Sequence, residues 1–313
     1  MSTRARPMLS RRSVLAAGTL GALGLATGVG LTACGSSTSS VGELGPQLVA
    51  LFNPNRIIAA GVPQRLPFGL VDNGITLTGD GAPVTARVLA DGEVIDTAEV
   101  IGRVVAHDHP AGTTEHQHSG LLRYYALRTT LPSPGVYDVE FDIGGVTASS
   151  PVQAFDPDEV GVLLPGAPFP SMITPTVADP GGIDALCTQP DGPCPFHEHT
   201  VADVLVTGQP MAVLVATPAF CSTAYCGPVL DTLIEAAPSY PGIAMIHLEP
   251  YANARAVNGD LTSPDLQLAA SMSALGLDFE PALFLVGSNG VLVDRIDNVF
   301  DSSELEPALD SLS

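Results

Sequence analysis

With 33 acidic and 12 basic side chains among 313 residues, the chain carries a formal net charge of −21 and contains no lysine. That balance argues against nucleic-acid binding and against electrostatic adhesion to an anionic membrane surface, since both need basic patches. Length and an apolar fraction of 45 % instead describe a globular chain with room for two domains, each with its own core.

Residues 1–33 read as an export signal. Arg11-Arg12 precede an uncharged run from Val14 to Ala33 that is rich in glycine and alanine, and so less hydrophobic than a Leu/Ile-rich spanning helix. The run closes on Leu31-Thr32-Ala33-Cys34, a lipobox. Cleavage before Cys34 would leave a lipid-modified cysteine as the new N-terminus, anchoring the protein at the extracytoplasmic face of the cell membrane; a retained signal-anchor helix is the alternative. Residues 34–45, with Gly35 to Ser40, form a flexible tether. Four of the arginines fall in the signal, so the mature chain is more acidic still. Export also places the remaining cysteines in an oxidising environment, where disulfides form and persist.

Residues 46–157 predict an all-β domain. Asp91-Gly92 sits between two strand-like runs as a hairpin signal. Tyr137, Val139, Phe141 and Ile143 alternate with Asp138, Glu140 and Asp142, the period of a half-buried antiparallel strand. The segment Leu127 to Phe141, with Pro134-Gly135 just ahead of Tyr137, resembles immunoglobulin-like sandwiches, and the resemblance implies a buried corner role for Tyr137. Such a fold implies no catalysis. A loop in this domain carries two His-x-His pairs, His107 with His109 and His116 with His118, beside Asp108 and Glu115. Residues two apart in a strand face the same side, so these imidazoles are candidate ligands for zinc or copper; a solvated polar loop is the plainer reading.

Residues 158–203 form a linker crowded with proline and glycine. Cys187 and Cys194 enclose six residues that include Pro190, Gly192 and Pro193, a turn that a disulfide would staple. A third His-x-His pair, His197 with His199, follows.

Residues 204–313 alternate strand and helix. An apolar strand from Met211 runs into Cys221 and Cys226 at the start of an amphipathic helix. There free backbone N–H groups and the positive end of the helix dipole favour thiolate. Then come a strand (243–248), a helix (264–275), Pro281, a strand (282–286), the Ser288-Asn289-Gly290 turn, a strand (291–296) and a helix (303–312). His247 reads as a core or rim histidine.

This strand–Cys–helix unit, with Pro281 ahead of Ala282-Leu283-Phe284-Leu285-Val286, resembles the thioredoxin fold. The resemblance implies a cis-proline at Pro281 in a substrate groove and redox cysteines at Cys221 and Cys226. Their spacing of four intervening residues departs from the family's two, and Phe220 stands where a tryptophan usually precedes the motif. Lysine absence with abundant Ala, Gly, Val and Pro fits a high-GC genome, and the layout is similar to that of actinobacterial exported lipoproteins with an immunoglobulin-like domain before a thioredoxin-like one. The expected fold class is therefore α+β in two domains, an immunoglobulin-like sandwich followed by an α/β thioredoxin-like fold.

Four cysteines besides Cys34 form two close pairs, Cys187 with Cys194 and Cys221 with Cys226, and two local disulfides are the simplest of three connectivities. Three functions stay open. Cys221 and Cys226 exchange disulfides with exported proteins and need no cofactor; or they carry copper or zinc as a metallochaperone, with His247 or the His197 and His199 pair completing the shell; or the chain is a binding module with permanent staples. No serine-elbow motif or phosphate-cradling glycine loop is present.

Overall fold

The computed structural model describes residues 45–53, 56–72, 75–76, 82–107, 120–223 and 225–312. The expected signal, nearly all of the tether, Cys34, His109, His116 and His118 lie outside the described residues. His107 is the last residue of a strand.

The N-terminal part is built of β1 (Gln47–Ala50), β2 (Pro63–Asp72), β3 (Ile75–Thr76), β4 (Val84–Ala90), β5 (Glu93–Val100), β6 (Gly102–His107), β7 (Gly120–Thr130), β8 (Gly135–Ile143) and β9 (Val146–Ala154). They make two antiparallel sheets, ordered β1-β2-β7-β6 with β3 on β2, and β5-β4-β8-β9. The hairpin between β4 and β5 turns on Asp91 and Gly92, both at positive φ (50° and 80°), the backbone that a two-residue turn demands. Along β8, Tyr137, Val139 and Phe141 are buried while Asp138 is exposed. Phe68 and Phe141 meet edge to face at 5.6 Å, and Tyr125 meets Phe141 at 5.7 Å, so aromatic side chains from both sheets interlock. The Tyr137 hydroxyl donates to Ser133 O at 2.7 Å, tying the β7–β8 turn to the strand below it.

The C-terminal part contains α1 (Val201–Thr207), β10 (Met211–Val215), α2 (Cys226–Ala236), β11 (Ala244–Leu248), α3 (Ala270–Leu275), β12 (Ala282–Val286), β13 (Leu292–Asp297) and α4 (Ser302–Asp310). Its sheet runs β11-β10-β12-β13; β10 and β11 are parallel, and β12 and β13 are antiparallel to their neighbours. Every residue of β10 and β12 is buried, as strands covered on both faces require. Leu214, Leu283, Leu285 and Ile296 pack with Leu230 and Leu233 of α2 and Leu305 and Leu309 of α4. Val213, Phe284 and Ile246 belong to an apolar cluster that also contains Met272 and Leu275 of α3 and the sandwich core. The architecture is thus α+β, with three sheets and four α-helices among the described residues.

The helix expected from Pro264 begins only at Ala270. Residues 265–269 are drawn back across 250–253 instead: Ala252 N–H donates to Gln267 O, Ala269 N–H to Pro250 O, and Gln267 N–H to Asn253 Oδ1. Those bonds consume the groups a helix would have used. Residues Gly42–Ser313 form one compact unit, and the proline-rich segment 158–203 lies against it, with Phe169 edge to face on Phe284 at 5.7 Å. No helix among the described residues is long and apolar enough to cross a membrane.

A buried ion pair crosses between the sandwich and the C-terminal sheet. Arg65 of β2 donates to both carboxylate oxygens of Glu304 in α4, at 2.5 and 2.7 Å, to Asp297 O at 2.9 Å, and to Val299 O. Tyr124 adds a hydrogen bond to Glu304 at 3.0 Å. Burial alone would raise the Glu304 carboxyl, but the Arg65 charge and these hydrogen bonds outweigh it and hold it below its ordinary value. The stabilisation is therefore complete above the unfolded value of about 4.3 and is lost as pH falls through the lower folded one. Arg65→Met strands the Glu304 charge and is expected to cost about 3–5 kcal/mol at neutral pH, measured by urea unfolding; Arg65→Met with Glu304→Leu should be more stable than Arg65→Met alone.

Candidate functional site

The buried β10 strand delivers the chain to a loop that ends at Cys226, the first residue of α2. Phe220 is seated there by Gly259, whose φ of 72° suits glycine and whose missing Cβ would lie 2.9 Å from the phenyl ring. The N-cap residue Tyr225 offers the helix no side-chain acceptor. The Cys221 sulfur takes that place: Cys226 N–H donates to Cys221 Sγ at 3.2 Å, satisfying one of the helix's free donors.

Cys221 is half-buried and Cys226 wholly buried. Burial alone would raise the Cys221 thiol; hydrogen bonds from the Cys226 side chain, from Thr223 and from the N–H groups of Cys226 and Thr223 outweigh it and bring it down to about 7. Burial, the hydrogen bond to Cys221 and the Cys221 charge push the Cys226 thiol well up, and Glu280 adds to this. The two sulfurs thus differ in the sense that an attacking and a resolving cysteine require.

Buried Glu280 holds the loop. Its Oε1 accepts from Ser222 N–H at 3.1 Å and from Ser222 Oγ at 2.9 Å, while its Oε2 accepts from Tyr251 at 3.2 Å. The Glu280–Pro281 bond is cis. Pro281 is buried and its carbonyl accepts from Asn298 N–H at 2.8 Å; neither Pro281 nor Cys221 nor Cys226 lines the nearby open groove of 590 Å³, whose walls include Ser222, Thr223, Tyr251, Phe279 and Glu280 together with Phe52 beyond β1.

A second cluster lies on the β11 side. Cys187, Cys194, His197 and His247 are all buried, and one potential ligand atom from each falls within 4.8 Å of the others. Cys194 Sγ is 3.2 Å from His197 Nε2 and 3.4 Å from His247 Nδ1, and the two ring nitrogens are 3.4 Å apart. His247 Nε2 meets Ala216 O at 2.9 Å, whereas His197 Nδ1 has no partner among the described residues. The 188–193 turn uses Gly192 at φ 109°, and His247 N–H donates to Phe196 O at 3.2 Å, aligning the ligand-bearing segment along β11. Buried Glu249 accepts from Thr188 N–H at 2.6 Å and anchors the residue next to Cys187.

The four described cysteines are unbridged thiols rather than the two expected disulfides, and Cys187 and Cys194 share their surroundings with two imidazoles. His247, read from sequence as a core residue, is in the core, but its ring belongs to this cluster. His197 turns inward while His199 is exposed, so the two histidines do not act as a same-face pair. Among the described residues no histidine joins Cys221 and Cys226; the one group that could hold a metal ion is built on Cys187 and Cys194. The bracing roles of Glu280 and Glu249 have little sequence signature; an acidic residue directly before Pro281 is the signal for the first.

No protein-family model matches this chain, and no curated protein is detectably similar to it.

Alkylation of the reduced protein by iodoacetamide, followed residue by residue by mass spectrometry, should show Cys221 reacting with a pH midpoint near 7. Cys226 should stay unlabelled until the protein is unfolded.

Proposed function

We propose that the chain is an exported, lipid-anchored protein of thioredoxin-like fold that exchanges thiols and disulfides with other exported proteins through Cys221 and Cys226. The observation that carries this reading is the asymmetry of the two sulfurs at the start of α2: a half-buried thiol lowered to about 7 that accepts the Cys226 N–H, and a wholly buried thiol raised beside it. The strand order β11-β10-β12-β13, with one parallel and two antiparallel pairings, and the cis bond ahead of β12 support the thioredoxin-like assignment. The two facing sheets and the Tyr137 hydrogen bond to Ser133 support an immunoglobulin-like sandwich.

In the reducing direction, the Cys221 thiolate attacks one sulfur of a substrate disulfide, forming a mixed disulfide and releasing the other sulfur as a thiolate. Cys226 loses its proton and attacks Cys221 Sγ, closing the Cys221–Cys226 disulfide and freeing the second substrate thiolate. Two electrons pass to the substrate, and the reverse sequence oxidises a dithiol. The groove beside Phe279 and Glu280 is where a substrate segment would lie.

Cys221→Ser is expected to abolish reduction of a small aromatic disulfide by the reduced protein. Cys226→Ser should retain the first attack and accumulate the mixed disulfide, detected by mass. A Cys221–Cys226 potential below about −300 mV in a glutathione and dithiothreitol series would mark a structural staple and overturn the reading in favour of a binding module. The anchor has its own check: Cys34→Ser should abolish acylation and move the protein from the membrane fraction to the soluble one.

A further inference from the structure

Cys187, Cys194, His197 and His247 are four buried polar side chains from two distant stretches of chain. Three sit on the loop ahead of α1 and the fourth on β11, so nothing in local chain geometry obliges them to meet. Burying thiols and imidazoles is costly; the contacts among Cys194, His197 and His247 satisfy them only in part, leaving His197 Nδ1 without a partner among the described residues, and the same close spacing suits a shared ion. A tetrahedral ion with bonds of about 2.0–2.3 Å holds its ligand atoms about 3.3–3.8 Å apart; the separations among Cys194, His197 and His247 are 3.2, 3.4 and 3.4 Å, at or just under the lower end of that span, and the Cys187 sulfur lies within 4.8 Å of the other three.

The tautomer of one ligand is already set. Ala216 O can only accept, so the 2.9 Å contact places the proton of His247 on Nε2. Nδ1 is then a bare lone pair facing Cys194 Sγ and His197 Nε2, and the carbonyl serves as the outer-shell partner that orients a ligating imidazole. Glu249, through Thr188 N–H, pins the loop on the other side.

We infer that these four residues form a closed Cys2His2 site for a divalent, borderline-soft metal ion, with zinc as the ion the donors suit best, and that it ties the segment ahead of α1 to β11. Two thiolates offset the charge of a divalent cation, so the buried site is neutral overall. Monovalent copper would leave one net negative charge there, close to the Glu249 carboxyl, at a dielectric cost. All four protein ligands are buried and together complete a tetrahedron, so no position is left for substrate and the role is structural. The site is separate from Cys221 and Cys226 and does not rest on the exchange reading.

The full chain, purified reduced in zinc-containing buffer, is expected to retain one zinc per molecule by native mass spectrometry. Cobalt(II) in its place should give the intense visible bands of tetrahedral coordination together with sulfur-to-metal charge transfer. Cys194→Ser and His247→Ala should each weaken zinc on the order of 100-fold or more, while the Cys221→Ser/Cys226→Ser double variant keeps full stoichiometry. Because ligand variants can misfold, the wild-type chain supplies an independent reading: zinc should protect Cys187 and Cys194 from alkylation, and chelation should expose both. Zinc-free reduced protein, recovery of Cys187–Cys194 as a disulfide from zinc-containing preparations, or loss of the metal in the double variant would each overturn the inference.

Discussion

A guanidinium with no water around it cannot be left without acceptors, and Arg65 finds all of its acceptors outside its own sheet. The Glu304 carboxylate, Asp297 O and Val299 O come from α4, from the end of β13 and from the turn between them. Sliding the sandwich off the C-terminal sheet would strand a buried charge on both sides, a penalty of several kcal/mol that no exposed ion pair carries. Tyr124 reinforces the arrangement from β7, since its hydroxyl donates to Glu304 and accepts from Asp301 N–H at 2.9 Å. Arg295 makes a parallel link, paired with Asp297 and also donating to Leu163 O at 2.8 Å and Ile57 O at 3.2 Å. These directional contacts specify an orientation that apolar packing alone would leave looser.

That orientation shapes the groove next to Cys221. The β13–α4 turn held by Arg65 contains Asn298, whose N–H binds Pro281 O and whose side chain binds Leu51 O. Asn53 binds Asp278 at 3.0 Å on the same side. One wall of the groove is consequently sandwich and the other is the loop braced by Glu280. A segment that entered it would meet Phe52 as well as Phe279, so both parts of the molecule wall the groove.

Much of this was legible in the sequence wherever a short-range signal existed. The period-two alternation from Tyr137 to Ile143 needs only a half-buried strand, and Asp91-Gly92 needs only a tight turn. The run from Met211 into Cys226 carried both its burial and its helix start. The helix expected from Pro264 failed because side-chain and backbone acceptors at Asn253 and Pro250 compete for the same N–H groups, and those residues lie more than ten positions away. His197 and His247 are separated by forty-nine residues, and only the placement of the 188–197 loop along β11 brings their rings together. The His-x-His repeat pointed elsewhere because it assumes an extended strand, which the Pro195-flanked loop is not.

The two cysteine pairs look equivalent on paper, and the fold makes them different. Around Cys221 and Cys226 there is no imidazole among the described residues, one cysteine is half-buried and the other wholly buried, and Glu280 braces the loop between them through Ser222. Around Cys187 and Cys194 both residues are buried and ring nitrogens lie close by, and a divalent ion there would satisfy all four groups at once in a site neutral overall. Four thiols in one compact unit allow three pairings, two of which would cross the sites and destroy both. An ion held by Cys187 and Cys194 would remove them from that competition and leave Cys221 and Cys226 only each other, which matters because all four sulfurs adjoin one apolar cluster on the α2 side of the sheet.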